Sequence, residues 1–522
     1  MPKTDTYYSV ARKSKKPAFI HRERCWPQYD KWSPCEAACP LHMDVPGYVI
    51  AIAERNPEKA LAIIRETNPL PSVCGRACHH PCETDCNRKV VDRAIAIEYL
   101  KGFAADWAKE EKPQPVPMTK TSKVAVVGSG PAGLTAAHDL VKKGYGVAIF
   151  EAAPIAGGIL TSAIPDFILS REAVQKDIDY IKALGVQIHT GVRVGRDISI
   201  EALNQQGFRA VLVATGNQKS VGLNVPGSAL QGISLALDYL KEIKRGYMKP
   251  YTGRVWVIGG GAVAMDCARA ALRNGAQEVH IACLESRENM PAFTWEIEMA
   301  EREGVRIHPA FAPQEFTSRT GARVSGIKFQ RVTATSMDRE GRIKWTLAEG
   351  AGSEISADTD AVIIAIGQAI DRDAQPAGVE VNRRGAIAIN ADTGETKAPG
   401  VFAAGDAAGN GRTISESMAA GRRAAISIDQ FLSGQAIIAQ KEDRGIIYIK
   451  PEQVPSYFIR RDRWEVPQLL TRQAIKTNKE VNLGFAPWQA VDEASRCLNC
   501  RMCANCVFDR GQLCYETAMR LL

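Results

Sequence analysis

Fourteen cysteines are spread unevenly along 522 residues, and their spacing raises the first question of chemistry. Cys25, Cys35, Cys39, Cys74, Cys78, Cys82 and Cys86 lie in the first 86 residues. Cys497, Cys500, Cys503, Cys506 and Cys514 lie in the last 26, and only Cys267 and Cys283 fall between. In VCGRACHHPCETDCNR four cysteines recur at every fourth position, a spacing that stacks side chains on one helical face. Pro81 argues against an unbroken helix there, because it removes a donor and drives His80 out of the α region. Near the other end, RCLNCRMCANCVFDRGQLCYE reads C-x2-C-x2-C-x2-C-x7-C. Dense thiol repeats of this kind hold zinc or iron–sulfur clusters. No apolar segment follows the basic start, so a cytoplasmic location is expected, where metal or redox work outweighs disulfides.

Two glycine patterns supply a different chemistry in the middle. VAVVGSGPAGLTAAHDLVKKGYGVAIFE reads as strand, glycine turn, helix and strand, with Gly128, Gly130 and Gly133 in GxGxxG spacing. The first glycine allows the tight turn, the second lets backbone approach a pyrophosphate, and the third permits close helix–strand packing. Glu151, 18 residues beyond Gly133, closes the second strand where a carboxylate accepts from ribose hydroxyls. RVWVIGGGAVAMDCARAALRNGAQEVHIACLE repeats the pattern with Gly259, Gly261 and Ala264, and Glu285 follows 21 residues later. Two fingerprints imply two dinucleotides, one giving hydride and one receiving it.

The segments around these units include VLVATGNQ, AVIIAIGQ and GVFAAGDAAGNGRTISESMAAGRRAAISI, the last expected to turn helical from Ala419. Together with the paired fingerprints they resemble the flavoprotein family in which an NAD(P) domain interrupts an FAD domain. The resemblance implies FAD at Gly128, Gly130, Gly133, Glu151, Gly157, Gly158, Gly216, Gly405 and Asp406. It implies a nicotinamide dinucleotide at Gly259, Gly261, Ala264, Glu285, Arg287 and Gly367. Thioredoxin reductases share this middle but carry a CxxC dithiol; Cys267 stands alone and is expected to pack in the core. Relatives often place consecutive arginines after the second strand for a 2′-phosphate, whereas Leu284 and Glu285 stand here, so NADH is expected ahead of NADPH. Hydride passes directly between such rings, so no side chain is assigned as catalytic.

Residues 25–107 resemble the N-terminal iron–sulfur domain of the glutamate synthase small subunit and of dihydropyrimidine dehydrogenase. The likeness rests on CEAACPLHMDVPGYV, NPLPSVCGRACHHPCETDC and AIAIEYLKGFAADW. Such a domain holds up to two [4Fe–4S] clusters, one with a non-cysteine ligand. Seven cysteines leave that place to fill: Lys101 stands where dihydropyrimidine dehydrogenase has a glutamine, and Glu98 is one substitute, although a solvated helix face is the expected role for it. His79 and His80 are expected to flank the metal or face solvent. With one cluster expected at the C-terminal cysteines, the total is two or three. A zinc-stabilised scaffold is the rival reading of the same cysteines, and a glutamate synthase small subunit is the rival within the family.

Composition agrees with a soluble multidomain chain: 45% hydrophobic, 24% charged, net charge +8. Much of the basic excess is a short arm, from Lys3 to Arg24, and nucleic acid is not an expected partner. The apolar run from Ala361 to Ile366 is strand-sized, far below the ~18 residues needed to span a bilayer. The expected α/β architecture has an α-helical iron–sulfur domain at 1–118, FAD-domain parts at 119–222 and 368–436, and an NAD(P) domain at 223–367. Residues 437–522 then form a linker or docking arm and a cysteine-rich segment. The expected partners are NADH and a redox enzyme subunit or ferredoxin.

Overall fold

The computed structural model describes residues 31–109, 112–338, 343–371, 375–376, 378–383, 385–439, 444–454 and 458–500. Cys25, Cys503, Cys506 and Cys514 lie outside the described residues. Two parallel sheets form the middle. The first runs in the order Val401–Ala403, Phe208–Val213, Lys123–Val127, Gly146–Glu151, Gln187–Thr190. The second runs Ile233–Leu235, Ala361–Ile364, Arg254–Ile258, Glu278–Ala282, Arg306–His308. In each, the strand before the glycine turn is central and buried on both faces, which is why its residues form an unbroken apolar run. The sequence enters the second unit and returns from it through two crossings that pair antiparallel, Lys219–Ser220 with Gln368–Ala369. A small antiparallel sheet of Phe311–Thr317, Gly326–Met337, Ile343–Leu347 and Glu354–Asp358 packs on the second unit.

The helix expected to begin at Ala419 spans Ile414–Leu432 instead. The overlooked signal was a capping box, in which Thr413 accepts from Glu416 N–H and the Glu416 carboxylate accepts from Thr413 N–H at 3.1 Å.

Short helices make up the N-terminal domain: Pro34–Ala38, Val45–Ala53, Pro57–Arg65, Pro71–Cys74, Pro81–Thr84 and Ile97–Trp107. Proline opens four of them at the first position and occupies the second of Val45–Ala53, where a missing N–H costs no helical bond. Asn56 caps the third by accepting from Lys59 N–H at 2.9 Å, as its sequence indicates. Backbone contact is closest between Pro71–Cys74 and Ile97–Trp107: a Cβ on Gly75 would lie 2.4 Å from Gly102 Cα. That approach brings Lys101 against the cysteine segment.

Residues 444–454 and 458–500 form a strap rather than a free docking arm. Its helix Pro487–Ala494 packs on Val45–Ala53, Arg463 pairs with Glu83 at 2.7 Å, and Glu480 pairs with Arg76 at 2.8 Å. Buried charge drives this docking. Arg496, 1% exposed, reaches Glu493, Asp92 and the carbonyl of Arg93, each at 2.6 Å, and Arg88 donates to Arg496 O at 2.8 Å. Among the described residues no helix is long and apolar enough to cross a membrane.

Candidate functional site

At the first glycine turn the backbone leaves no choice of residue. Gly128 has φ +103°, and a Cβ there would meet Ala214 O at 2.4 Å. A Cβ on Gly133 would meet Gly128 O at 2.1 Å, whereas Gly130 has nothing within 4 Å. The turn is thus packed on two sides and open on the third, at the N-terminus of the helix Pro131–Lys142. Glu151 accepts from Ser129 N–H at 2.9 Å and Ser129 O–H at 2.6 Å, and its other oxygen accepts from Ala153 N–H. Ser129 Oγ in turn accepts from Gly157 N–H at 2.9 Å, so the Gly157–Gly158 loop is held against the turn. Gly405 and Asp406 complete the rim with Ser417, and burial raises the Asp406 carboxyl to about 6. Gly216 lines the same space.

The second turn repeats this construction. A Cβ on Gly259 would meet Ala365 O at 2.2 Å, Gly261 is open, and Ala264 is fully buried. Glu285, 9% exposed, points back so that its Oε2 would sit 3.1 Å from a Cβ on Gly260. Arg287 is turned to Glu301 at 2.8 Å, and Gly367, with φ +136°, marks the return crossing.

The first turn and the start of the helix that follows the second turn open on one cavity of about 710 Å³. Its wall includes Gly128–Ala132, Gly158 and Gly405–Asp406 from the first unit and Ala262, Met265 and Asp266 from the second. A third contributor is the cysteine segment itself, through Arg76, Ala77, Cys78 and His79. Sequence reasoning missed Asp266, whose carboxyl burial pushes up to about 7 with Glu296 as a further cause. It also missed Phe293 and Trp295. Their rings stack at 4.6 Å, and they lie 5.7 Å from His79 and 4.2 Å from His80 respectively, which ties the second unit to the cysteine domain. Phe293 caps the helix Thr294–Arg302 and Trp295 lies in its first turn, and two aromatics at the start of a short helix carry no functional signal in the sequence.

Eight of the ten described cysteines fall into two groups, with no disulfide among the ten. Burial raises the Cys35 thiol first, and nearby Cys86, Cys500 and Cys497 raise it further. Lys101, 1% exposed, is the centre of the other group. Burial pulls its pKa down, but Cys78, Cys74, Cys82 and Cys39 around it leave the ammonium raised, and its Nζ donates to Cys74 O at 3.1 Å. Cys497 and Cys500 therefore lie with the N-terminal cysteines rather than apart from them. Glu98 accepts from Cys78 N–H at 3.0 Å, and burial lifts its carboxyl to about 8. Cys267 is fully buried in the core of the second unit, and Cys283 closes its second strand.

Among the described residues no three His, Cys, Asp or Glu side chains lie close enough to hold one ion. Tyr48 faces the same cysteines. Its hydroxyl is fully buried without a hydrogen-bond partner, with Cys82, Cys39, Cys35 and Cys78 around it, so an O–H donor faces the cysteine-lined space.

Comparison with known proteins agrees with this geometry. Residues 122–424 match the pyridine nucleotide-disulphide oxidoreductase model, and residues 4–113 match dihydropyrimidine dehydrogenase domain II, 4Fe-4S cluster. The NADP(+)-dependent formate dehydrogenase subunit beta of Moorella thermoacetica is 37% identical over 90% of this chain and 70% of its own length. The NADPH-Fe(3+) oxidoreductase subunit beta of Geobacter sulfurreducens is 37% identical over 93% and 77%. The glutamate synthase [NADPH] small chain of Azospirillum brasilense is 32% identical over 77% and 87%. Among solved structures, FprA from Mycobacterium tuberculosis in complex with NADPH shares the fold at a TM-score of 0.51 and 18% identity, over 60% of this chain and 85% of its own. With two parallel nucleotide units, one shared cavity and a cysteine domain on its wall, the chain belongs to the pyridine nucleotide-disulphide oxidoreductase family, as an FAD- and NAD(P)-dependent oxidoreductase with an N-terminal 4Fe-4S domain.

Proposed function

We propose that this chain is the electron-transfer subunit of a larger redox enzyme, exchanging hydride with NADH and single electrons with a partner protein. The observation that carries the reading is the composition of one cavity wall, where the first glycine turn, the helix that follows the second turn, and Cys78 meet. Bound FAD supplies two-electron exchange with the nucleotide and one-electron exchange with iron–sulfur clusters. The chain's own contribution is placement. Gly130 and Gly261 leave room for the pyrophosphates at helix N-termini, which orients the reacting rings. Cys74 Sγ lies 3.5 Å from Met418 Sδ on the helix Ile414–Leu432, so the cysteine domain packs directly against the FAD unit. The relatives that are named as beta subunits or small chains support a partner that carries the terminal substrate.

NADH remains our reading over NADPH, although relatives carry NADPH in their names. The buried carboxylate of Glu285 beside the second turn suits bare ribose hydroxyls and repels a 2′-phosphate, and Arg287 is already engaged by Glu301. The test is anaerobic stopped flow with NADH and a one-electron acceptor. Cys78→Ala should leave flavin bleaching by NADH within about twofold of the wild-type rate and slow acceptor reduction at least tenfold. Equal acceptor rates would remove the cysteine domain from the electron route.

A further inference from the structure

We propose that the two ends of the chain build one metal centre together. Cys35 and Cys86 from the N-terminal helices and Cys497 and Cys500 from the strap hold one [4Fe–4S] cluster, and Cys39, Cys74, Cys78 and Cys82 hold a second beside it. The assignment rests on the iron–sulfur reading above and goes beyond it by naming each ligand.

The arrangement follows from where two short helices end. Cys35 lies in the helix Pro34–Ala38 and Cys39 is its extended C-cap, while Cys82 lies in Pro81–Thr84 and Cys86, also extended, lies two residues past its end. Each short helix and its end thus deliver one thiol to each centre, and the two centres are neighbours by construction. Tyr48, with an unpartnered buried hydroxyl, has Cys35 of one set and Cys39, Cys78 and Cys82 of the other around it. Cys35, Cys39, Cys74 and Cys82 belong to one apolar core, and Cys78, Cys86 and Cys497 pack against it. Cys500 shares its own small core with Leu498, Val90 and Val91, just beyond Cys86.

The strap cannot drift from this position without breaking buried charge pairs. Arg496 precedes Cys497 and is locked to Glu493 and Asp92, while Arg88, two residues after Cys86, holds the carbonyl of Arg496. Asn87 adds a grip on the strap's start: its side-chain N–H donates to Ile447 O at 2.9 Å and its oxygen accepts from Ile449 N–H at 3.2 Å. Severing one partner of such a buried pair is costly, so the cysteines on either side of the contact are held in a defined relation.

Eight cysteines satisfy two clusters at four each, and the place left for a non-cysteine ligand closes. Cys74 fills it. Lys101 then serves as a buried cation enclosed by the second set, offsetting the negative charge that four thiolates bring into a dry interior. The second set reaches the dinucleotide cavity through Cys78, and the first lies on the strap side, so the pair forms a two-step path from the cavity toward the strap.

The experiment is iron and sulfide analysis with low-temperature EPR on the anaerobically purified full-length protein. We expect Cys35→Ala, Cys86→Ala, Cys497→Ala and Cys500→Ala each to remove about four irons and the same EPR signal. Cys39→Ala, Cys74→Ala, Cys78→Ala and Cys82→Ala should each remove the other signal, with flavin content reporting that the chain still folds. Cys503→Ala and Cys506→Ala should keep both. Persistence of the Cys35-dependent signal in the Cys497→Ala, Cys500→Ala double variant would overturn the assignment. As a measurement free of variants, iodoacetamide mapping of the wild-type protein should find Cys497 and Cys500 protected until chelation exposes Cys35. Their alkylation while that signal persists would refute the shared centre. Wild-type protein without iron would instead overturn the iron–sulfur reading itself, a separate and recognisable result.

Discussion

Single side chains decide which nucleotide is taken and how easily a centre is reduced. Glu285 is a lone carboxylate beside the second glycine turn, and Arg287 is held by Glu301. Replacing Glu285 with arginine supplies a 2′-phosphate partner and removes the repulsion at once. We expect the ratio of kcat/KM for NADPH over NADH to rise at least about tenfold, measured by steady-state oxidation of each. Lys101 is the complementary case, a buried positive charge among four cysteines. A fixed cation favours the more negative, reduced form of whatever those cysteines hold. Lys101→Gln should therefore lower the midpoint potential of the Cys78-dependent EPR signal in a redox titration and leave the Cys35-dependent signal nearly in place. A shift confined to the other signal would contradict the grouping.

Elements transmit these effects because the domains are clipped together by buried polar groups. Asp177, on the helix Arg171–Ala183, accepts from Val73 N–H at 3.0 Å and pairs with Arg65 at 3.4 Å. Burial is the largest influence on its carboxyl and lifts it from 3.8 to about 6 in spite of Arg65. The folded chain therefore holds this proton more tightly than the unfolded one, and stability contributed by the protonated form is lost as pH rises from about 4 through about 6. Asp177→Asn keeps an acceptor for Val73 and has no such proton. Wild-type protein should gain about 1.3 kcal/mol between pH 7 and pH 5 relative to this variant, read from denaturant midpoints at both pH values. A pH-independent difference would show that the clip stays charged throughout. The same logic of long-range contact explains the helix Ile414–Leu432, whose start was legible in Thr413 and Glu416, although alanine-rich sequence drew the expected boundary five residues too late.

At the scale of the molecule, the strap and the N-terminal domain form one unit closed by charge at Arg496 and by cysteines on either side. Loss of the centre shared by Cys35, Cys86, Cys497 and Cys500 removes one of the contacts that hold the strap, leaving ion pairs, the Asn87 hydrogen bonds and apolar packing. Chelation of iron should then make residues 444–500 a preferred site of limited proteolysis, seen as a rise of at least about tenfold in the cleavage rate there, while the flavin-binding middle stays intact. Cys497→Ala should reproduce this sensitivity without a chelator. Uniform cleavage across the chain would mean that the centre supports the whole fold rather than the strap.

Local sequence alone determined the two nucleotide units, because a glycine turn imposes its demand within a few residues. Gly128 and Gly259 need positive φ, Gly133 needs the missing Cβ, and Glu151 and Glu285 follow at the length of one helix and one strand. The expectation of thiol-bound metal was equally legible, since spacing and number of cysteines are properties of the chain itself. Which cysteines act together was not. That partition depends on Arg88 meeting Arg496 across 408 positions, on Gly75 meeting Gly102, and on short helices that end between Cys35 and Cys39 and between Cys82 and Cys86. Only tertiary packing brings Cys500 to Cys35, because the free energy that holds them together lies in buried charge pairs between segments distant in sequence.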